Sequence, residues 1–252
     1  MACLRAHLSH YSAPRTLLAV SGAFDPAQAR AWAQQWAADW PQAAADAPAP
    51  PAHLEPVVGG LRVLPAPLER TQVALAWPGV GTLENRRDAA GVLSELIGGD
   101  NGFLYWALLD TGLADSADFG HLDFRDCGVF EGGFSCDPGR TAEALAAYQA
   151  ALRDAQDFTP QQLGRAKRKL AVHTLARAET PQGRLFALGL EAAATGQVVT
   201  PEAQAARWQA VSADEVRALL GNILAAPLTG VVLGKLGDLA AEDLLVAGSH
   251  KV

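Results

Sequence analysis

The groups in this 252-residue chain whose types could do chemistry are six histidines, three cysteines and one glycine-rich run, and their spacing decides which chemistry is open. The histidines are His7, His10, His53, His121, His173 and His250. His7 and His10 stand three residues apart, so on a helix both imidazoles could face one metal. No carboxylate lies within those turns to complete a ligand set, and no metal site is expected there. His121 falls in a strand pattern and His173 in a helical one, each without a partner, and both read as packing or surface residues. Cys3, Cys127 and Cys136 are odd in number and lack C-x-x-C spacing, and an extended run between the last two would hold them about 30 Å apart. Neither a disulfide framework nor a zinc cage follows, and this usage fits a reducing compartment. The run Gly98-Gly99-Asp100-Asn101-Gly102 has the composition of a phosphate loop, but no Lys-Ser/Thr follows it and it reads as a flexible turn between two helices. No G-x-S-x-G elbow exists for serine hydrolysis.

Two side-chain patterns and the overall charge narrow the partners. Trp32, Trp36 and Trp40 recur on one helical face, which reads as a core stripe against the Thr16 to Ser21 strand; the other reading is a face left uncovered. Arg165, Lys167, Arg168 and Lys169 sit in a helical pattern without interleaved aromatics and read as a solvated helix face. A net charge of -7 gives no basic field for a phosphate backbone, so nucleic acid is not an expected partner. No apolar run reaches the ~18 residues of a membrane span, and the residues from Met1 to His7 lack a signal-peptide layout. No membrane partner and a cytoplasmic location are expected.

These residues must be positioned by elements that the pattern makes legible. A helical pattern runs from Ala2 to His10, an apolar strand from Thr16 to Ser21 (TLLAVS), and a helix from Asp25-Pro26 to Trp40. Pro41 to Pro56 is a Pro/Ala linker. Strands are expected at Gly60 to Leu64 and at Thr71 to Trp77, with Val73, Leu75 and Trp77 on one face. Helices follow at Glu84 to Ile97 and Phe103 to Leu109, then strands at Ser116 to Phe124 and Gly128 to Cys136. From Asp137-Pro138 to Leu224 the pattern is helical, with capping hydroxyls at Thr159, Thr180, Thr200 and Ser212. A last strand spans Leu228 to Leu233. Strands, then helices, then one returning strand imply an α+β fold, a mainly antiparallel sheet with helices on one face.

Front and back share a layout. Ala13-Pro14 leads through TLLAV to Gly22 and Asp25, and Ala226-Pro227 leads through TGVVL to Gly234 and Asp238. Such a repeat suggests a duplicated unit, although the shared residues are also common punctuation. On the duplicated reading, residues 1–45 are the tail of a first unit, 46–57 a linker, 58–237 a complete second unit and 238–252 a polar tail.

With these segments in order, the chain resembles the pitrilysin/insulinase-type zinc metallopeptidases. Leu8-Ser9-His10-Tyr11-Ser12-Ala13-Pro14 followed by TLLAVSGAFDP is similar to the passage that closes the family's first domain. Gln72 to Gly79 is similar to its glutamine-led strand, and Ile97-Gly98-Gly99, Phe103-Leu104 and Gly112-Leu113-Ala114 to its LGGGxxSRLFxxLRExxGLAY segment. Arg125 to Phe130 resembles its xDxGxF strand, and Thr159 to Lys167 its TxxELxRAK helix start. The resemblance implies the carboxy-terminal, non-zinc half of the family's duplicated α+β unit, similar to subunits of the mitochondrial processing peptidase type. In the family the other half holds zinc through H-x-x-E-H, and no histidine pair here has that spacing. The second half of active members supplies an Arg and, seven residues later, a Tyr to the substrate carbonyl. The matching positions here are Leu108 and Asp115, neither of which can donate in that way. The resemblance also makes Gly98, Gly99 and Asn101 a candidate chamber loop.

The expectations are therefore no catalytic residue, no metal ligand and no cofactor in this chain, and no activity alone. The expected role is a non-catalytic half or partner subunit of a zinc-dependent peptidase, forming a substrate-chamber wall for peptide hydrolysis. Its partners would be a zinc-bearing half, a second copy of itself, or a peptide. The alternative is a structural or peptide-binding module that has left proteolysis.

Overall fold

The computed structural model describes residues 11–40 and 59–235. The helical pattern from Ala2, the His7/His10 pair, Cys3, His53, His250, the Pro/Ala linker and the polar tail lie outside the described residues. Of the described residues, 11–40 with 173–204 form one compact unit and 59–172 with 205–235 form a larger one.

In the smaller unit, helix α1 spans Pro26–Ala37, and its start follows from the sequence: the Asp25 carboxylate accepts the Ala27 N–H and Pro26 sits at the first helical position. Residues 16–20 pair with no strand among the described residues. Ala19 lies against Gly189 of the helix Pro181–Thr195, where an added Cβ would come within 3.2 Å of the Ala19 Cβ. Trp32 and Trp36 are each 60% exposed. The core-stripe reading of these tryptophans is thereby corrected, because α1 has no buried residue.

The larger unit is built on strands β1 (Gly60–Pro65) and β2 (Thr71–Gly79), helix α2 (Arg87–Gly98), strands β3 (Ser116–Asp123) and β4 (Gly128–Cys136), helix α3 (Thr141–Asp154) and helix α4 (Pro160–Arg177). The chain continues through α5 (Pro181–Thr195), α6 (Pro201–Ala210) and α7 (Ala213–Ala225) and returns as β5 (Thr229–Gly234). Its five-stranded sheet has the order β1-β5-β2-β4-β3. Only β1 and β5 are parallel; the other neighbours are antiparallel. The expected strands at 71–77, 116–124, 128–136 and 228–233 thus share one sheet, and the fold is α+β.

Period two in the strands and period 3.6 in the helices set the single core. Val73, Leu75 and Trp77 of β2 are buried, opposite Phe134, Gly132 and Phe130 of β4, while Gln72, Ala74 and Glu131 between them are exposed. On α2 the buried stripe is Ala89, Ala90, Val92, Leu93, Leu96 and Ile97, and on α7 it is Val216, Leu219, Leu220 and Ile223. Tyr148 of α3 stacks on Trp77 at 6.3 Å and donates its hydroxyl to the Asp118 carbonyl at 2.9 Å. Burial pushes the Tyr148 phenol well above its usual range, so it stays a donor. Gly132 makes the space, since a Cβ there would meet that hydroxyl.

All four helix starts expected from capping hydroxyls are capped as the residues dictate. Thr159 and Gln162 bond reciprocally, as do Ser212 and Glu215, and the hydroxyls of Thr180 and Thr200 accept the N–H groups of Gly183 and Ala203. Among the described residues, no helix is long and apolar enough to cross a membrane.

His121 lies on the helix-covered side of β3, tilted against Phe130 at 4.7 Å. The Val80 N–H donates to its Nε2 at 3.1 Å, and a Cβ at Gly79 or Gly128 would come 2.8 Å from that nitrogen. Burial holds the imidazole below its ordinary value of 6.5, against the opposing pull of the Asp123 and Glu84 carboxylates and with the help of Arg87. A group whose folded pKa is depressed stabilises the fold above the unfolded pKa and loses that contribution as pH falls through the folded value. The melting temperature is therefore expected to fall on acidification below about 6.5. His121→Gln, which keeps an acceptor but cannot titrate, should flatten that fall; an unchanged pH profile of the melt would refute the assignment.

Candidate functional site

The two positions that in the resemblance would carry an Arg and a Tyr sit in different surroundings. Leu108 belongs to a π-helical turn, Tyr105–Leu109, which follows α2 across the glycine run. The Asp110 N–H reaches back five residues to the Tyr105 carbonyl at 2.9 Å, and the Leu108 carbonyl accepts both Leu113 and Ala114 N–H groups at 2.9 and 3.0 Å. This wide turn aims Leu108 into the core, 0% exposed, and Trp106 outward, 54% exposed. A charged side chain at 108 would be buried without a partner, so the position has become a packing position.

Asp115 precedes β3, and its N–H donates to the Ser135 carbonyl at 2.8 Å. Its carboxylate accepts from Arg70 at 2.8 Å, and Arg70 also reaches Asp137 at 3.5 Å. These groups are half exposed, so the pairs contribute at most about 1 kcal/mol, and what they chiefly do is offset the charge at 115. Arg70 was not singled out by sequence reasoning, because its partners are 45 and 67 residues away. Leu108 and Asp115 thus do not converge on one donor site.

The glycine run is a tight turn. The Gly102 N–H donates to the Gly99 carbonyl at 2.7 Å, and each of Gly98, Gly99 and Gly102 lies where a Cβ would strike backbone: that of Phe119, Glu95 and Ile97 respectively. Asp100 is fixed by Lys169 of α4, whose Nζ contacts Asp100 and Glu95 at 2.8 Å each. These two bonds raise the Lys169 ammonium above its usual range, and the bond from Lys169 lowers the Asp100 carboxyl. Lys167 donates to the Val211 carbonyl at 2.7 Å. The basic run is therefore not one solvated face: two of its four members are tied into the fold.

Asn101 and Asp100 form part of the rim of a cavity of about 440 Å³ on the helical side of the sheet. The π-helical turn contributes Trp106 and Ala107 beside Phe103, α2 contributes Glu95 and Leu96, and α3 contributes Ala151 and Asp154. One stripe of α4, Gln162, Arg165, Ala166 and Lys169, closes it. Gly98 and Gly99 are not among its lining residues. Trp106 and Arg165 were not brought together by sequence reasoning; the only available signal was an aromatic pair after a glycine run. Among the described residues no cluster of His, Cys, Asp and Glu is arranged to hold a metal ion. The geometry offers a binding surface.

The chain is similar to known proteins over most of its length. Residues 4–170 match the family model described as the peptidase M16 inactive domain. An uncharacterized zinc protease of Streptomyces coelicolor is 27% identical over 190 residues, which cover 74% of this chain and 41% of that protein. A peptidase M16 inactive domain from Pseudomonas fluorescens superposes with a TM-score of 0.69 at 19% identity, over 84% of this chain and 51% of that one. A protease from Helicobacter pylori superposes with a TM-score of 0.71 at 17% identity, over 84% of this chain and 54% of that one.

Proposed function

This chain belongs to the pitrilysin-like peptidase M16 family as its carboxy-terminal inactive domain, and from that premise we propose that it walls the substrate chamber of a zinc-dependent peptidase whose zinc lies on another half. It is a peptidase-related, non-catalytic domain. What supports the finer reading is the state of the two positions that the resemblance assigns to the assisting Arg and Tyr: Leu108 is sealed in the core and Asp115 is paired with Arg70. A half so altered keeps the fold that encloses a peptide and lacks the groups that would polarise its carbonyl. The zinc half, bearing H-x-x-E-H, would supply the Lewis acid and the activated water, on the same polypeptide or on a partner. In this reading residues 1–45 are the tail of a first unit and 58–237 the second unit, joined by 46–57 and followed by the tail 238–252. Gly98, Gly99 and Asn101 then belong to a loop at the chamber wall, and the organic partner is an extended peptide.

The test is hydrolysis of a quenched fluorescent peptide library by the chain alone, by a zinc-bearing M16 half alone, and by both together. The chain alone should give the blank rate. Together they should exceed the zinc half alone by at least about tenfold, since enclosing and orienting a substrate supplies that much. No gain on mixing would remove the chamber role and leave the structural or peptide-binding module in its place. Zinc-dependent hydrolysis by the chain alone would overturn the inactive assignment.

A further inference from the structure

The cavity under the π-helical turn holds an arrangement that the chamber reading does not use. Its volume of about 440 Å³ lies within the range of small-ligand sites. Its walls divide by chemistry. Leu96, Phe103, Ala107, Ala151 and Ala166 make an apolar floor, and Trp106 stands at the rim with its ring half in solvent. Along α4 the cation of Lys169 is already committed to Glu95 and Asp100. Arg165, one turn away, pairs with no carboxylate among the described residues, and Arg168 beside it is equally unpaired. Arg165 and Arg168 also line the smaller cavity that adjoins the first across Gln162. Gln162 spends its Oε1 on the Thr159 N–H, which leaves its amide donors directed by that bond and unused within the fold. Asp154 of α3 is the one unpaired anion in the lining.

A free guanidinium and a free amide donor at i and i+3 of one helix suit a carboxylate. An apolar floor with an aromatic rim suits the side chain next to that carboxylate. The unpaired Asp154 suits an N–H or ammonium of the same residue. A free phosphate is disfavoured by the three carboxylates in the lining, which a ligand with both an anionic and a donor end tolerates.

We infer that this cavity binds an α-carboxylate flanked by an apolar side chain, as presented by the carboxy-terminal residue of a peptide or by a free amino acid. Arg165 and Gln162 hold the carboxylate, and Trp106, Phe103 and Leu96 hold the side chain. The site lies wholly within the larger unit and does not depend on the chamber role, so the chain can be assayed without any zinc-bearing half.

Isothermal titration of the full chain with N-acetyl-Ala-Phe, its carboxamide and free L-phenylalanine tests the site. The acid is expected to bind at least about tenfold more tightly than the carboxamide, the difference that a charge-assisted hydrogen bond supplies. Arg165→Gln should erase that preference, and Trp106→Ala should weaken acid and carboxamide alike. Both residues are exposed, so unchanged melting curves will show that the fold is retained. If the N-acetylated peptide binds more tightly than phenylalanine, the peptide end is the source; the reverse order identifies the amino acid, and either supports the site. Equal binding of acid and carboxamide, a preference that survives Arg165→Gln, or no heat up to about 10 mM ligand would overturn it.

Discussion

Gly98→Ala should lower the unfolding free energy by about 3 kcal/mol, near the upper end of overpacking costs, and the melting temperature by roughly 6 to 12 °C. Gly98 ends α2 where the helix lies directly on β3, and a Cβ there would meet the Phe119 carbonyl and come 2.8 Å from the Phe119 nitrogen. The obstacle is backbone in the middle of a paired strand, so no side chain can rotate away. The helix would have to lift, and Leu96 and Ile97 would leave the core with it. Alanine gains about 0.5–1 kcal/mol in helix propensity over glycine, too little to offset this. Gly221→Ala in α7 is the control, because nothing lies within 4 Å of its added Cβ. That variant should melt slightly above the parent, so two identical substitutions are expected to move the melt in opposite directions. A Gly98→Ala protein that melts with the parent would show that α2 and β3 are not in close contact.

The same glycine shows which parts of this structure could be read from residue order. Strand β4 was legible to its ends, because Phe130, Gly132, Phe134 and Cys136 alternate on one face between turn signals. Helix starts were legible because a capping hydroxyl three residues before its N–H partner is a local device. What joins distant segments was not. The parallel pairing of β1 with β5 joins residues about 169 positions apart, from Gly60 to Thr229, and no local pattern encodes it. Arg70 and its carboxylates, Lys169 between Glu95 and Asp100, and the meeting of Trp106 with Arg165 are of this second kind. The expected helix at 103–109 was right in place and wide in pitch, and that pitch decides that Trp106 faces out and Leu108 faces in. The tryptophan stripe failed for a different reason: periodicity marks an apolar face but does not say what covers it.

That uncovered face leads to the second large effect. Neither α1 nor α5 has a buried residue, and every member of the hydrophobic core cluster lies in the larger unit. In the smaller unit Leu17, Leu18, Val20, Phe24, Trp32 and Trp36 are exposed, as are Phe186 and Leu190 of α5. Soluble monomers rarely present so much apolar side chain, and residues 16–20 pair with no strand among the described residues. In the proposed function this is the surface that the zinc-bearing half completes. The chain alone is then expected to self-associate in a concentration-dependent way, with a light-scattering mass of at least about twice its own 26.4 kDa. Trp32→Glu combined with Trp36→Glu should return it toward a monomer, since two charges on that stripe repel apolar contact while touching no core residue. Adding the zinc-bearing half should give a defined complex with protection of residues 11–40 from protease. A monodisperse monomer whose residues 11–40 resist protease as well as the larger unit does would show that the smaller unit is complete by itself, and the docking role of its apolar face would have to be abandoned.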